Sequence, residues 1–376
     1  MGRRELIAAA LAAALAGCGG DEEQPAPVAP SSAPAAQTAA APTVAAPPQE
    51  RDAGVEHLEL GLEEALGQTI VSRYAGLTPS RSLLARIRRG EVGGVILFAD
   101  NLAQRRAGIR RAIARLHRAA RAGGRPKVLV MVDQEGGVVK RLPGPPATSA
   151  AAMRDPRAQG AATGRMLRAL GITVDLAPVA DVAHRGTFLG SRAFGGSPRE
   201  VAREACAFAA GLRQRNVAPA LKHFPGLGHA RINTDDAPES VDVPAAALRR
   251  DYAPYRACGT QPGTLAMLSS AVYPRLLGPE PAVLTRATFA RELPRRGAWP
   301  VTISDALDTP ALANEPTPAR RALVAGLDLL LYANTEDASA RAYRILLADA
   351  RAGRIPRRRL EDAAKRVLRL KAFLNP

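Results

Sequence analysis

Residues 221–242, LKHFPGLGHARINTDDAPESVD, hold a dense set of side chains able to do chemistry. Lys222 and His223 end a short apolar run. After a break at Pro225-Gly226, a polar loop carries His229, Asn233, Thr234, Asp235 and Asp236. A cation and an imidazole at the end of a strand, followed by a glycine-containing polar loop, suit a site where side chains converge on a polar ligand. The same residues also describe an ordinary strand-to-helix loop rich in turn formers. Other polar residues hold comparable places: Asp133, Gln134 and Glu135 after one aliphatic run, Asp181 after LAPVA, and Asp305 after PVTIS. Any one such acid can serve simply as the N-cap of the next helix. Four such positions together suggest carboxylate chemistry around a bound polar molecule.

Elements that position these residues follow from the patterning. From about Val55 onward, aliphatic or β-branched runs alternate with amphipathic Arg/Ala/Leu segments. The runs predict strands at 69–72, 94–98, 128–132, 173–178, 218–224, 264–269, 300–304 and 328–331. Helical periodicity covers 102–122, 158–170, 199–214, 317–325, 338–351 and 358–373. Strands alternating with helices imply a parallel sheet covered on both faces. Eight such units in this length suit an α/β fold of the TIM-type (β/α)8 barrel, a single catalytic domain over 55–376. The first strand has the weakest pattern, so an imperfect barrel stays open. In a barrel, the acids and the Lys222-His223 pair all fall on the C-terminal rim, where barrel enzymes place their chemistry.

Composition narrows the function. The 376 residues carry a net charge of +17, yet aromatics make up only 4%. Arginines are spread along the whole chain among acids, with one dense run at 357–359, which reads as compositional bias rather than a nucleic-acid surface. Attraction to an anionic wall or membrane surface remains compatible with it. Of three cysteines, Cys206 and Cys258 lie in the body, and their pairing is undetermined from sequence. No Cys/His spacing resembles a zinc motif.

The first 17 residues read as an address. Arg3 and Arg4 precede an apolar run at 6–16 that is too short to span a bilayer. The run ends in Leu15-Ala16-Gly17-Cys18, which resembles a lipoprotein cleavage site with Cys18 as the point of lipid attachment. Residues 18–54 are Ala/Pro-rich with almost no aliphatic periodicity and read as a disordered tether. The expectation is a monomeric cell-envelope protein, lipid-anchored on the periplasmic or cell-surface side.

Six strings now occur in order: GGVILFADN (93–101), DQEGGVVKRL (133–142), LAPVADV (176–182), GSRAFGGSP (190–198), KHFPGLG (222–228) and TISDAL (302–307). Together they resemble glycoside hydrolase family 3, in its single-barrel β-N-acetylglucosaminidase branch, from about residue 61 to the end. The resemblance implies that Asp305 is the nucleophile of a retaining reaction through a covalent glycosyl-enzyme. It implies that Asp133, Arg192, Lys222 and His223 bind the sugar, with Arg141 less securely placed, and that no metal or organic cofactor is needed. The chemistry agrees with these residue types: the nucleophile must be a carboxylate, and charge-assisted hydrogen bonds fix sugar hydroxyls. Lys222 and Arg192 are expected to help keep Asp305 and Asp133 ionised.

One departure falls in the opening loop. The branch pattern resembles KHFPGHGxxxxDSH, in which the last His is the acid/base, oriented by the Asp two positions before it. Here Leu227, Asn233, Thr234 and Asp235 replace the first His, the Asp, the Ser and the last His. Three readings follow: Asp235 is the acid/base with Asp236 behind it, His229 supplies an imidazole instead, or the barrel binds glycan without cutting it. For Asp235 to act, its pKa must be raised by burial and by Asp236 or Asp305. A carboxylate there also disfavours phosphate as acceptor, so hydrolysis is expected over phosphorolysis. The lead expectation is an exo-β-N-acetylhexosaminidase acting on terminal N-acetylglucosamine of peptidoglycan-derived or related glycans. A β-glucosidase or β-xylosidase of the same family and a non-catalytic glycan-binding lipoprotein are the alternatives.

Overall fold

The computed structural model describes residues 59–293 and 301–375. The expected leader, Cys18 and the tether lie outside them. Each of the eight expected runs contains a strand: β1 Ile70–Ser72, β2 Gly94–Ile96, β3 Leu129–Val132, β4 Val174–Asp175, β5 Ala218–Phe224, β6 Leu265–Leu268, β7 Val301–Ser304 and β8 Leu330–Leu331. All neighbouring pairs are parallel, in the order β7-β6-β5-β4-β3-β2-β1-β8. A parallel bridge between Ile303 and Leu329 brings the two ends together, so the sheet is a nearly closed barrel. The pairing of Ile70 with Leu330 and Val71 with Leu331 makes the weakly patterned β1 a full member of it.

Side chains alternate across each strand and divide the core in two. Val71, Ile96, Met131, Val174, Ala220, Met267, Ile303 and Leu331 fill the barrel interior, joined by Val367 and Leu370 from the final helix Arg357–Leu374. The opposite faces, with Ile70, Val95, Val130, Leu221 and Leu268, pack under the surrounding helices.

Helix ends moved where local capping outweighs periodicity. The helix expected over 102–122 starts at Arg106, after a separate short helix Ala99–Leu102. The Asn101 side chain caps the start of the short helix: its oxygen accepts from the Phe98 N–H, while its amide donates to the carbonyls of Tyr74 and Gly76. The helix expected from 158 starts at Pro156, since Asp155 caps it by accepting from the Ala158 N–H. Between β6 and β7 the described residues form a hairpin, Val272–Tyr273 with Gly278–Pro281, and short helical turns rather than a long helix. Cys206, on the helix Pro198–Arg213, is disulfide-bonded to Cys258 at the end of Ala253–Cys258, with Cα atoms 5.7 Å apart.

Candidate active site

The rim residues meet at the C-terminal mouth of the barrel around one buried cation. Lys222, near the end of β5, extends Nζ to Asp133 Oδ1 at 2.8 Å and to Glu135 Oε1 at 2.7 Å. Arg192, from the turn Gly190–Arg192, grips the same Glu135 through two parallel hydrogen bonds of 2.9 Å. Two cations thus face two carboxylates in a site largely removed from water. Burial alone would raise the Glu135 pKa, but Lys222 and Arg192 outweigh it and hold the carboxyl down to about 2. The same acids overcome burial at Lys222 and raise its pKa, so its ammonium is retained.

Arg192 therefore does not pair with Asp133 or Asp305. Its guanidinium engages Glu135, which the sequence reading placed on the rim without giving it a role. Glu135 lies in the two-stranded hairpin Gln134–Gly136 with Val139–Lys140. Buried Gln134 braces the turn beyond: its amide donates to the carbonyls of Leu142 and Pro145, and its oxygen accepts from the Leu142 N–H. That brace holds Arg141, whose guanidinium sits 5.6 Å from the centre of the Phe98 ring, where cation–π attraction operates. Beneath the cluster, fully buried Asp175 accepts from the Gln134 N–H. Loss of hydration drives its pKa well up, so this fifth charged-type side chain is neutral and leaves the balance undisturbed.

His223 is set by a residue that spacing alone did not single out for this task. Asp181, buried after β4, lies 2.7 Å from His223 Nδ1 and also accepts from the backbone N–H groups of His223 and Leu227. The peptide bonds Lys222–His223 and Phe224–Pro225 are cis. The loop beyond stays close to the β4 loop because Gly228 has no side chain: a Cβ there would fall 1.9 Å from the Val182 carbonyl oxygen. His184 N–H donates to the Gly228 carbonyl at 2.8 Å.

Asp305 follows β7 directly. Its N–H donates to the Leu268 carbonyl, and its Oδ1 accepts from the Ala306 N–H, both at 2.9 Å, so the half-buried carboxylate is held in place. Asp235 approaches from the loop after β5. Its pKa is raised, first by loss of hydration around its carboxyl and next by repulsion from Asp305, with His223 opposing. The residue as a whole is exposed. The carboxyl nonetheless feels the charges of Asp305, Asp133 and His223. Asn233, standing where the branch pattern has Asp, spans Asp235 with a 3.3 Å hydrogen bond to its N–H and a weak 3.4 Å contact to its carboxyl. The neighbouring Asp236 is exposed and bonds through its N–H to the Asn233 carbonyl. His229 is directed elsewhere: its ring stacks on His184 and contacts Asp251.

Buried, paired cations and carboxylates gathered at the C-terminal mouth of a (β/α)8 barrel stand where barrel enzymes place their chemistry. The chain belongs to glycosyl hydrolase family 3, whose N-terminal domain matches residues 61–370. It is similar to an uncharacterized secreted glycosyl hydrolase of Arthroderma benhamiae, 32% identical over 85% of this chain and 95% of the relative. Beta-hexosaminidase LpqI of Mycobacterium tuberculosis is 36% identical over 66% of this chain and 70% of its own length. Among solved structures, the family 3 beta-N-acetylglucosaminidase from Paenibacillus sp. superposes with a TM-score of 0.78 at 28% identity. That match covers 84% of this chain and 63% of the other. The M. tuberculosis LpqI structure gives a TM-score of 0.73 at 31% identity, covering 85% and 96%. No helix among the described residues is long and apolar enough to cross a membrane.

Proposed function

We propose that the protein is a retaining exo-β-N-acetylhexosaminidase that removes terminal β-linked N-acetylglucosamine from cell-wall-derived or related glycans. The observation that carries this reading is Asp305 held at the end of β7, on the same rim as the buried Asp133–Lys222–Glu135–Arg192 cluster, with the Asp235 carboxyl raised in pKa by burial and by Asp305. Such a pair divides into acid and nucleophile by environment. Asp305 attacks the anomeric carbon as Asp235 delivers its proton to the departing glycosidic oxygen, leaving a glycosyl ester on Asp305. Asp235, now a carboxylate, takes a proton from water. That water displaces Asp305 and releases the sugar with its starting configuration. Asp133, Lys222, Arg192 and His223 form the sugar-binding side of the pocket, with Arg141 near its edge. The β-hexosaminidase names of the relatives support the choice of sugar. Engagement of His229 with Asp251 favours Asp235 over His229 as acid/base.

The proposal extends to location. Lipid attachment at Cys18 and the tether at 18–54 would hold the barrel at the envelope surface. A disulfide in the body fits an oxidising compartment outside the cytosol.

A panel of nitrophenyl β-glycosides tests the reading. Turnover of the N-acetylglucosaminide, lost in Asp305→Asn with folding intact, is expected. Turnover of the glucoside or xyloside alone would replace the substrate assignment, and binding of glycan with no turnover at all would remove the enzyme assignment.

A further inference from the structure

Outside the pocket, three side chains from three segments converge on one point. His184 follows β4, His229 lies in the loop between β5 and Asp235, and Asp251 ends the helix Ala245–Asp251. Both imidazoles bring Nε2 to the same Asp251 oxygen at 3.2 Å, and their rings stack with centroids 3.7 Å apart. One nitrogen from each ring and one carboxylate oxygen lie mutually within 4.8 Å. The Asp251 carboxylate is buried, His229 is mostly covered, and His184 is 44% exposed.

We propose that His184, His229 and Asp251 form a site for a divalent first-row transition metal, Zn2+ foremost, which clips the Asp235 loop to the β4 loop. The donor set is two imidazoles and one carboxylate, which suits zinc and its neighbours and not the all-oxygen preference of Ca2+ or Mg2+. Zn–N and Zn–O bonds of about 2.0–2.2 Å in a tetrahedron place ligand atoms about 3.3–3.5 Å apart, close to the 3.2 Å spacings here. Binding requires the ring planes, now 18° apart, to open so that each nitrogen lone pair faces a common centre. The exposed side of His184 gives that ring room to turn and leaves a fourth position open to water. Regular zinc motifs concentrate ligands in one stretch. Here residues 184, 229 and 251 are drawn from separate loops, so linear spacing could not reveal them.

The consequence is mechanical. His229 is six residues before Asp235, and Gly228 already lies against Val182. An ion joining His229 to His184 and Asp251 fixes the base of the segment that carries Asp235.

The test uses the full chain, stripped with chelator and titrated with Co2+ by visible absorption and with Zn2+ by calorimetry. One equivalent of Co2+ displaced by Zn2+ is expected, with a rise in Tm that Mg2+ does not reproduce. His184→Gln and His229→Gln should each weaken binding at least about tenfold, judging by the sensitivity of metal sites to their surrounding shell. His184→Gln alters a half-exposed ring, and its metal-free Tm reports that the fold is kept. Asp305→Asn should bind as the parent does. No saturable binding of either ion, binding that survives both histidine variants, or binding lost in Asp305→Asn would each overturn the assignment.

Discussion

Asp181 holds His223 from two directions, accepting from the backbone N–H at 3.1 Å and lying 2.7 Å from the ring Nδ1. A ring held at Nδ1 in this way is oriented before any ligand arrives. Asp181→Asn should keep the fold but loosen that ring, lowering kcat/KM by roughly 10–100-fold, the scale of small misplacements in a site. The Tm should change much less than activity. A collapse of Tm with activity per folded molecule unchanged would assign Asp181 to stability alone.

Asp235 should set the alkaline limb of the pH profile. In the proposed mechanism its proton passes to the leaving oxygen, and burial together with Asp305 raises its pKa. Activity is therefore retained as pH rises past the ordinary aspartate range, then lost as it passes the raised value. Asp235→Asn should remove that limb and slow poor leaving groups far more than nitrophenyl ones, with azide restoring part of the rate on activated substrates. Because Asp305 contributes to the shift, Asp305→Asn should lower the Asp235 pKa, which carboxyl-carbon NMR can follow in the inactive protein.

Glu135 links acid stability to the pocket. Its pKa is held at about 2 against an ordinary 4.5, so its contribution is complete above 4.5 and is lost as pH falls toward 2. Glu135→Gln should leave Lys222 and Arg192 under-compensated in a buried site and destabilise by roughly 3–5 kcal/mol at neutral pH. The gap between parent and variant should narrow on acidification, which denaturant melts at a series of pH values would measure.

The Cys206–Cys258 bond closes a loop between positions 52 residues apart and joins two helices beside β5. Reduction, or replacement of both cysteines by Ala, should cost about 2–4 kcal/mol. Activity at room temperature should persist, since neither sulfur touches the pocket residues, and the loss should show in thermal unfolding.

The barrel was legible because each strand is a short aliphatic run that the neighbouring helices bury, and burial enforces the pattern. The rim acids were legible as rim acids for the same reason: each follows directly on such a run. Their partners were not. Glu135 receives Lys222 from 87 positions later and Arg192 from 57, and Asp181 meets His223 across 42, distances that only closure of the barrel resolves. Asn101 caps its short helix and reaches the carbonyls of Tyr74 and Gly76, 27 and 25 positions earlier, contacts that periodicity does not encode. The disulfide likewise depends on two helices meeting, which spacing does not encode.

Lys222, Glu135, Arg192 and Asp133 interlock at strand ends and in a braced hairpin, whereas Asp235 rides on a loop held chiefly through its own Asn233 and the contact at Gly228. The loop is tied back to the rim at its base, where Asp181 accepts from both the His223 and the Leu227 N–H groups. On the proposed roles, the four loop positions 227, 233, 234 and 235 can change the proton donor while the buried cluster that would grip the ligand stays as it is. Proton donor and ligand grip would then be separately heritable traits of one barrel.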